Sequence, residues 1–546
     1  MHIDITKNSK YSRALLRTSY REDGKVKKLT IANLSDCSPA DIEAIDFGLK
    51  NHKKFLEGKF IDSSLSEIQH GKSIGAAFVL AEIAKRTGIT EALGDSFNGK
   101  LALWQIFSRV LDQGSRLSSV RLHETHLLAE AVELDKGFCE DNLYSNLAWL
   151  AENQNDIEDK LFKQRTQNKP FDLALYDVTS SYLEGQHNEL ATFGYNRDGK
   201  KGKKQIVVGL LCDFEGCPIS IQVFSGNTSD PKTFPDQIKK VADRFKCERV
   251  TFVGDRGMIK SAQKKELNEA GFHYITALTK AQIETLEKAK IIEHSLFDDN
   301  ICHISHEGNR YVLRKNPIRE EEIALSRASK EKKIIDLINS KNKYLNESKR
   351  AKPEIALKKV NEKIASLKCL WLSAIINPAG TIILQKDSEK LKELSYLDGC
   401  YVVITDLMDQ NITPEMIHST YKNLWAVEND FRNLKTVHLE MRPIHVRKVR
   451  STRGHIFVLM LAHIIKRNLD KYWENFNMKT EEGIDCLKSL STVVIATTNN
   501  ISIETTPIPT GRTEELLKAI NYTLPKSIVR KKICIDTRKK TKKKLK

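Results

Sequence analysis

"FDLALYDVTSSYLEG", residues 171–185, is the stretch on which the fold of this chain turns. Upstream, from about residue 66, apolar residues recur at helical spacing, as in "AAFVLAEIAKRTGI" and "LALWQIFSRVLDQG". After Pro170 that spacing gives way to a short apolar run, which reads as a strand ending at Tyr176 and Asp177. Downstream, "QIVVGLLCDFEGCPISIQVFSG", 205–226, reads as two strands joined by a Glu-Gly turn. A helix around 233–245 leads to "RVTFVGDRG", a strand ending in Asp255, then to a further helix and the strand "FHYITAL", 272–278. Strands interleaved with helices predict an α/β sheet. Functional groups gather at strand ends in such sheets, so Asp177 and Asp255 can be neighbours.

A third acid comes from "YKNLWAVENDFRNLK", 421–435, which reads as a single amphipathic helix. At about 100° per residue, Tyr421, Trp425, Glu428, Arg432 and Lys435 share one arc about 80° wide. Leu424, Val427, Phe431 and Leu434 form an apolar stripe beside it, suited to docking on a sheet. The plain alternative is a surface helix with a solvated charged face. Three carboxylates within about 4–5 Å would repel by roughly 4 kcal/mol per pair at an effective dielectric near 20. Divalent cations remove that cost, and an oxygen-only donor set suits Mg²⁺ or Mn²⁺ better than zinc. Two such ions about 3.5–4 Å apart serve in-line displacement at a phosphodiester. Asp213, Asp230 and Asp406 are rival acids that periodicity leaves open.

Size and charge set the frame. With 546 residues the chain can bury more than one core, and its 40% hydrophobic content is that of a globular protein. A net charge of +17 favours a polyanionic partner. The C-terminal "RKKICIDTRKKTKKKLK", 530–546, holds ten Lys/Arg against one Asp and reads as a solvated tail able to grip phosphates. Ten cysteines lie without a paired pattern, so no zinc site is expected. The N-terminus lacks a signal-peptide pattern, and "HIFVLMLAHII", 455–465, is too short to span a bilayer. A cytoplasmic chain with reduced thiols is expected. "HGKS" at 70–73 lacks the first glycine and the preceding strand of a phosphate loop.

Taken in order, "YDVTSSYLEG" (176–185), "GYNRDGKKGKKQIVVGLL" (194–211), "VFSGNTSDPKTF" (223–234), "FVGDRGMIKS" (252–261), "LDGCYVVITDL" (397–407) and the 421–435 helix resemble bacterial insertion-sequence transposases. The group in question has an RNase H-like catalytic domain, a D…D…E triad and a Tyr…Glu…Lys helix. "MRPIHVRKVRSTRGHIFVLMLAHII", 441–465, fits the family's closing helix, and "SYREDGKVKK" near the N-terminus is similar too. The resemblance covers roughly 170–470. It implies that Asp177, Asp255 and Glu428 bind two Mg²⁺ (or Mn²⁺) ions per active site, while Tyr421 and Lys435 hold DNA phosphates. The family often has Arg three residues after its Tyr; here Leu424 stands there, leaving Lys422 or Arg432 to supply the charge, or nothing. Trp425 stacks on a displaced base or simply packs. Lys200, Lys201, Lys203 and Lys204 track phosphates or belong to a plain exposed loop. Arg442, Arg447 and Lys448, with Arg450 and Arg453, lie next to the triad helix.

The organisation implied is a multidomain α/β chain. A small β-rich module (1–65) and a helical DNA-binding domain (66–168) precede an RNase H-like mixed-sheet core (169–285). An insertion with a charged helical hairpin (286–405) separates this from the second part of the core with the Glu helix (406–470), and a C-terminal region (471–546) carries the basic tail. The implied partners are double-stranded DNA, as terminal inverted repeats and as target, and a second copy in a synaptic complex at the bacterial nucleoid; no membrane is involved. An RNase H-like nuclease without strand transfer and a catalytically inert DNA-binding derivative are the alternatives.

Overall fold

The computed structural model describes residues 1–8, 11–56, 66–167, 171–185, 187–298, 301–348, 350–435, 439–442, 444–497, 502–528 and 533–536. Most of the basic tail lies outside them. The chain forms two compact units, Met1–Gly71 with Thr492–Pro507, and Lys72–Ser491 with Ile508–Lys546. The smaller unit holds an antiparallel sheet of β1 (His2–Asn8), β2 (Tyr11–Glu22) and β3 (Lys25–Asn33), followed by the helix Pro39–Leu56. Asp23 and Gly24 join β2 to β3 with φ of 49° and 74°, the two left-handed residues of a type I′ hairpin turn.

The larger unit is built on an eight-stranded mixed sheet. Its strands are β4 (Leu173–Tyr182), β5 (Gln205–Cys212), β6 (Pro218–Ser225), β7 (Thr251–Val253), β8 (His273–Ala277), β9 (Cys302–His306), β10 (Asn309–Lys315) and β11 (Cys400–Thr405). Their spatial order is β9-β10-β11-β8-β7-β4-β5-β6. β4 pairs antiparallel with β5 and parallel with β7; β7 and β8 are parallel, and β11 returns antiparallel to β8. The strand expected to end at Asp177 continues to Tyr182, because Thr179, Ser180 and Ser181 go on pairing with β5 through Val208, Val207 and Ile206.

Alternation along β4 divides the interior. Ala174, Tyr176 and Val178 enter one apolar core, whereas Leu175 enters the other. Asp177, two residues from Leu175, stands on that second face. The same core takes in α1 (Glu140–Glu152) and other helices of 75–166, so the helical region and the sheet share one interior. Between β10 and β11 the chain makes an excursion through α2 (Pro317–Glu347), α3 (Pro353–Ser366) and the hairpin of Leu372–Ile376 with Ile382–Lys386. This excursion has its own core, around Ile334, Val360, Ile364 and Trp371. The insertion read over 286–405 thus narrows to residues 316–399, since β9, β10 and β11 belong to the main sheet. Its two ends are adjacent: Lys315 pairs with Cys400, and Asn316 N–H donates to Gly399 O at 2.9 Å.

α4 (Pro414–Lys422), α5 (Leu424–Lys435) and α6 (Val449–Tyr472) complete the layer on the Asp177 face. Leu424, Val427, Phe431 and Leu434 are at most 8% exposed, so the apolar stripe docks as its spacing predicts. α6 is buried along Ile456–Ile465 and crosses α1 where Gly454 meets Leu147; a Cβ at Gly454 would lie 1.9 Å from the Leu147 carbonyl oxygen.

Candidate active site

The helix read across 421–435 is in fact two. α4 ends at Lys422, the Asn423 N–H bonds back to Ser419 O and Thr420 O at 3.1 Å, and α5 starts at Leu424. The break follows from their supports, for α4 rests on β8, β10 and β11 while α5 lies on β4. Tyr421 and Glu428 therefore belong to different helices, yet both interact electrostatically with Asp177, and Tyr421 also feels Asp255.

Asp177 is half-buried on β4, Asp255 is exposed two residues beyond β7, and Glu428 is exposed on α5. They act on one another electrostatically. Burial pushes the Asp177 carboxyl up to about 7; the charges of Glu428 and Asp255 add to the rise, and Arg197 opposes it. Burial likewise raises the Tyr421 hydroxyl above its ordinary range, helped first by Asp255 and then by Glu428 and Asp177, so Tyr421 keeps its proton as a hydrogen-bond donor. Among the described residues no three His, Cys, Asp or Glu side chains stand close enough to enclose a metal ion. The acids converge on one region without forming a closed cage. What the residues offer a cation is an all-oxygen donor set in which one carboxyl is destabilised by its neighbours' charge.

The rival acids are occupied elsewhere. Asp213 accepts the N–H groups of Glu215 (3.0 Å) and Cys217 (2.8 Å) and closes the β5–β6 turn. Asp230 takes both of its bonds, 2.5 and 2.6 Å, from Arg197. Asp406 accepts the Tyr274 N–H at 3.0 Å.

The basic residues divide into held and free. Lys435 and Arg442 both reach Asp198, at 2.9 and 2.7 Å, and the Asp198 carboxylate is 1% exposed. Burial lowers the Lys435 ammonium pKa, while its bond to Asp198 works against that. Lys203 pairs with Glu184 at 2.6 Å, whereas Lys200, Lys201 and Lys204 are exposed. Lys422, Arg432, Arg447 and Lys448 are exposed as well, and Trp425 is 63% exposed, so it does not pack. Leu424 is buried, as its place on the apolar stripe requires. Arg197, Asp198 and Arg256 were not singled out from the sequence. The first two stand inside "GYNRDGKKGKK", where a lone acid among lysines was the available signal. Arg256 directly follows Asp255 and acts electrostatically on Tyr421.

Residues 169–465 match the family model of the transposase DDE domain, and residues 3–63 match that of the IS1634 family transposase N-terminal domain. The chain belongs to the DDE transposases. It is a DNA transposase of the insertion-sequence type, in a family that works with divalent metal ions. Among solved structures it is similar to the cryo-EM structure of the piggyBac transposase synaptic complex with hairpin DNA, at 10% identity and TM-score 0.36, over 77% of this chain and 82% of that one. A second is the Mos1 transposase paired-end complex with left transposon end, at 12% identity and TM-score 0.14, over 44% of this chain and 68% of that one. No curated protein matches the chain. Among the described residues no helix is long and apolar enough to cross a membrane.

Proposed function

We propose that Asp177, Asp255 and Glu428 are the catalytic triad of an RNase H-like core. On this reading the chain cleaves the ends of its element and joins the freed 3′-hydroxyl to target DNA. The observation that carries it is the Asp177 carboxyl, pushed up to about 7 by burial and then by the charges of the two other acids. Strand order supports the same reading. β6-β5-β4-β7-β8, antiparallel as far as β4 and parallel beyond it, is the arrangement of an RNase H-like sheet.

The three carboxylates would hold Mg²⁺ or Mn²⁺, two ions per site, which supply charge stabilisation at the attacking and leaving oxygens. Asp255 and Glu428 are exposed, and with the half-buried Asp177 they would be the residues that hold such ions. Tyr421, which keeps its hydroxyl proton, donates a hydrogen bond to a phosphate beside the cleaved bond. Lys422, Arg432, Arg447, Lys448 and the exposed lysines of 200–204 line the backbone, and Trp425 offers a stacking face to a displaced base. Lys435 and Arg442 hold the 194–204 loop against α5 through Asp198 before they meet DNA. Two copies pair two ends in a synaptic complex.

The test is incubation with labelled element-end duplex and Mg²⁺, with Asp177→Asn alongside. Joined products are expected from the parent and none from the variant. Nicks alone would leave a nuclease, binding without cleavage an inert binder, and undiminished cutting by Asp177→Asn would remove the triad assignment.

A further inference from the structure

The sheet of the smaller unit is three-stranded only in part. β1 pairs with β2 from Tyr11 to Arg17. Beyond Arg17 the pairing is β2 with β3 alone, Thr18 opposite Leu29 through Glu22 opposite Lys25. Every residue from Ser19 to Ile31 is exposed, so both faces of this segment meet solvent. The result is a two-stranded ribbon that stands out from its sheet and closes in the tight Asp23-Gly24 turn.

Five residues per strand at about 3.3 Å each give an arm roughly 17 Å long. A B-DNA major groove about 12 Å wide and 8.5 Å deep admits a two-stranded ribbon of this kind. Charge fits too. Lys27 is paired with Glu22 at 2.6 Å and Lys28 with Asp4 at 3.0 Å. Arg21 and Lys25 have no carboxylate partner among the described residues and lie on opposite faces, Arg21 beside Val26 and Lys25 beside Glu22. Val26, on the Arg21 face, is 62% exposed, which water alone does not favour and a thymine methyl group in a groove would cover.

We propose that the β2–β3 ribbon is a DNA-binding arm that enters the major groove of an element-end duplex, with Arg21 turned to base edges and Lys25 to a groove-wall phosphate. The assignment rests on the reading of the chain as one that acts on element ends, but not on the catalytic triad.

The experiment uses the full chain carrying Arg21→Ala with Lys25→Ala. The probe is a fluorescein-labelled duplex of about thirty base pairs with the outermost sequence of the element that encodes the chain. Anisotropy titrations in EDTA, with no cleavage possible, are run from about 50 to 200 mM salt. Both side chains are exposed, so thermal unfolding should match the parent. Affinity is expected to fall at least about tenfold, and the slope of log affinity against log salt to shrink by about one, for the single phosphate contact of Lys25. Unchanged affinity and slope overturn the proposal. So does loss of self-association, read by sedimentation, at unchanged DNA affinity, for the ribbon would then pair with a second copy. Cleavage by the Asp177→Asn protein would sink the triad while leaving this outcome untouched.

Discussion

At the residue scale, Asp177 is held in a state it does not favour. Its carboxyl ionises at about 3.8 in an unfolded chain and at about 7 here, because β4 buries it and Glu428 and Asp255 repel its charge. With the folded value raised, the contribution to stability is full below about 3.8 and is lost as pH rises through 7. Metal-free Asp177→Asn protein at pH 8 should therefore melt higher than the parent, the gain being on the order of 2–4 kcal/mol. Mg²⁺ should raise the melting temperature of the parent and leave the variant unmoved. If the variant melts at or below the parent at pH 8, the carboxyl is not strained. Tyr421 offers a second test: Tyr421→Phe removes only the hydroxyl group, so cleavage should slow by about tenfold or more with unchanged unfolding. An unchanged cleavage rate would show that the hydroxyl is not used.

At the scale of elements, the question is what aims Glu428. Two residues on along α5, Asp430 is fully buried; Arg467 of α6 reaches its Oδ1 at 2.6 Å and His463 lies 2.9 Å away. Arg467 also donates to Glu215 O at 2.9 Å, so one guanidinium ties α5, α6 and the β5–β6 turn. Removing one partner of a buried pair strands the other charge, and Arg467→Met should cost about 3–5 kcal/mol in urea unfolding. A cost under about 1 kcal/mol would show that the apolar stripe alone holds α5. The stripe itself was legible in the sequence, since 3.6-residue periodicity is a local property. The break at Asn423 was not, because α4 and α5 look continuous until different strands pull them onto different supports.

At the scale of the whole molecule, β10 and β11 are antiparallel neighbours from which residues 316–399 depart and to which they return. A two-residue turn joining Lys315 to Cys400 should leave the eight-stranded sheet folded, with one cooperative melting transition lost or diminished in calorimetry. A shortened chain that fails to fold would mean that contacts such as that of Lys280 with Leu394 O, at 2.8 Å, are needed by the sheet. The sequence showed the hairpin of α2 and α3 through its charge density and Pro353. It could not show that β9 and β10 flank the sheet, because strand order depends on pairings between distant segments.

What the sequence by itself determined is the class of protein, the β–α order around Asp177 and the buried stripe of α5. Each is written in local periodicity, or in short motifs whose spacing survives without coordinates. Only the tertiary structure decided which cations are free. Lys435 and Arg442 read as phosphate hooks in a linear chain, yet both are drawn onto Asp198, more than two hundred positions away. A charge buried at 1% exposure must be neutralised by whatever the fold brings within reach. That choice depends on distance in space, on which one-dimensional spacing is silent.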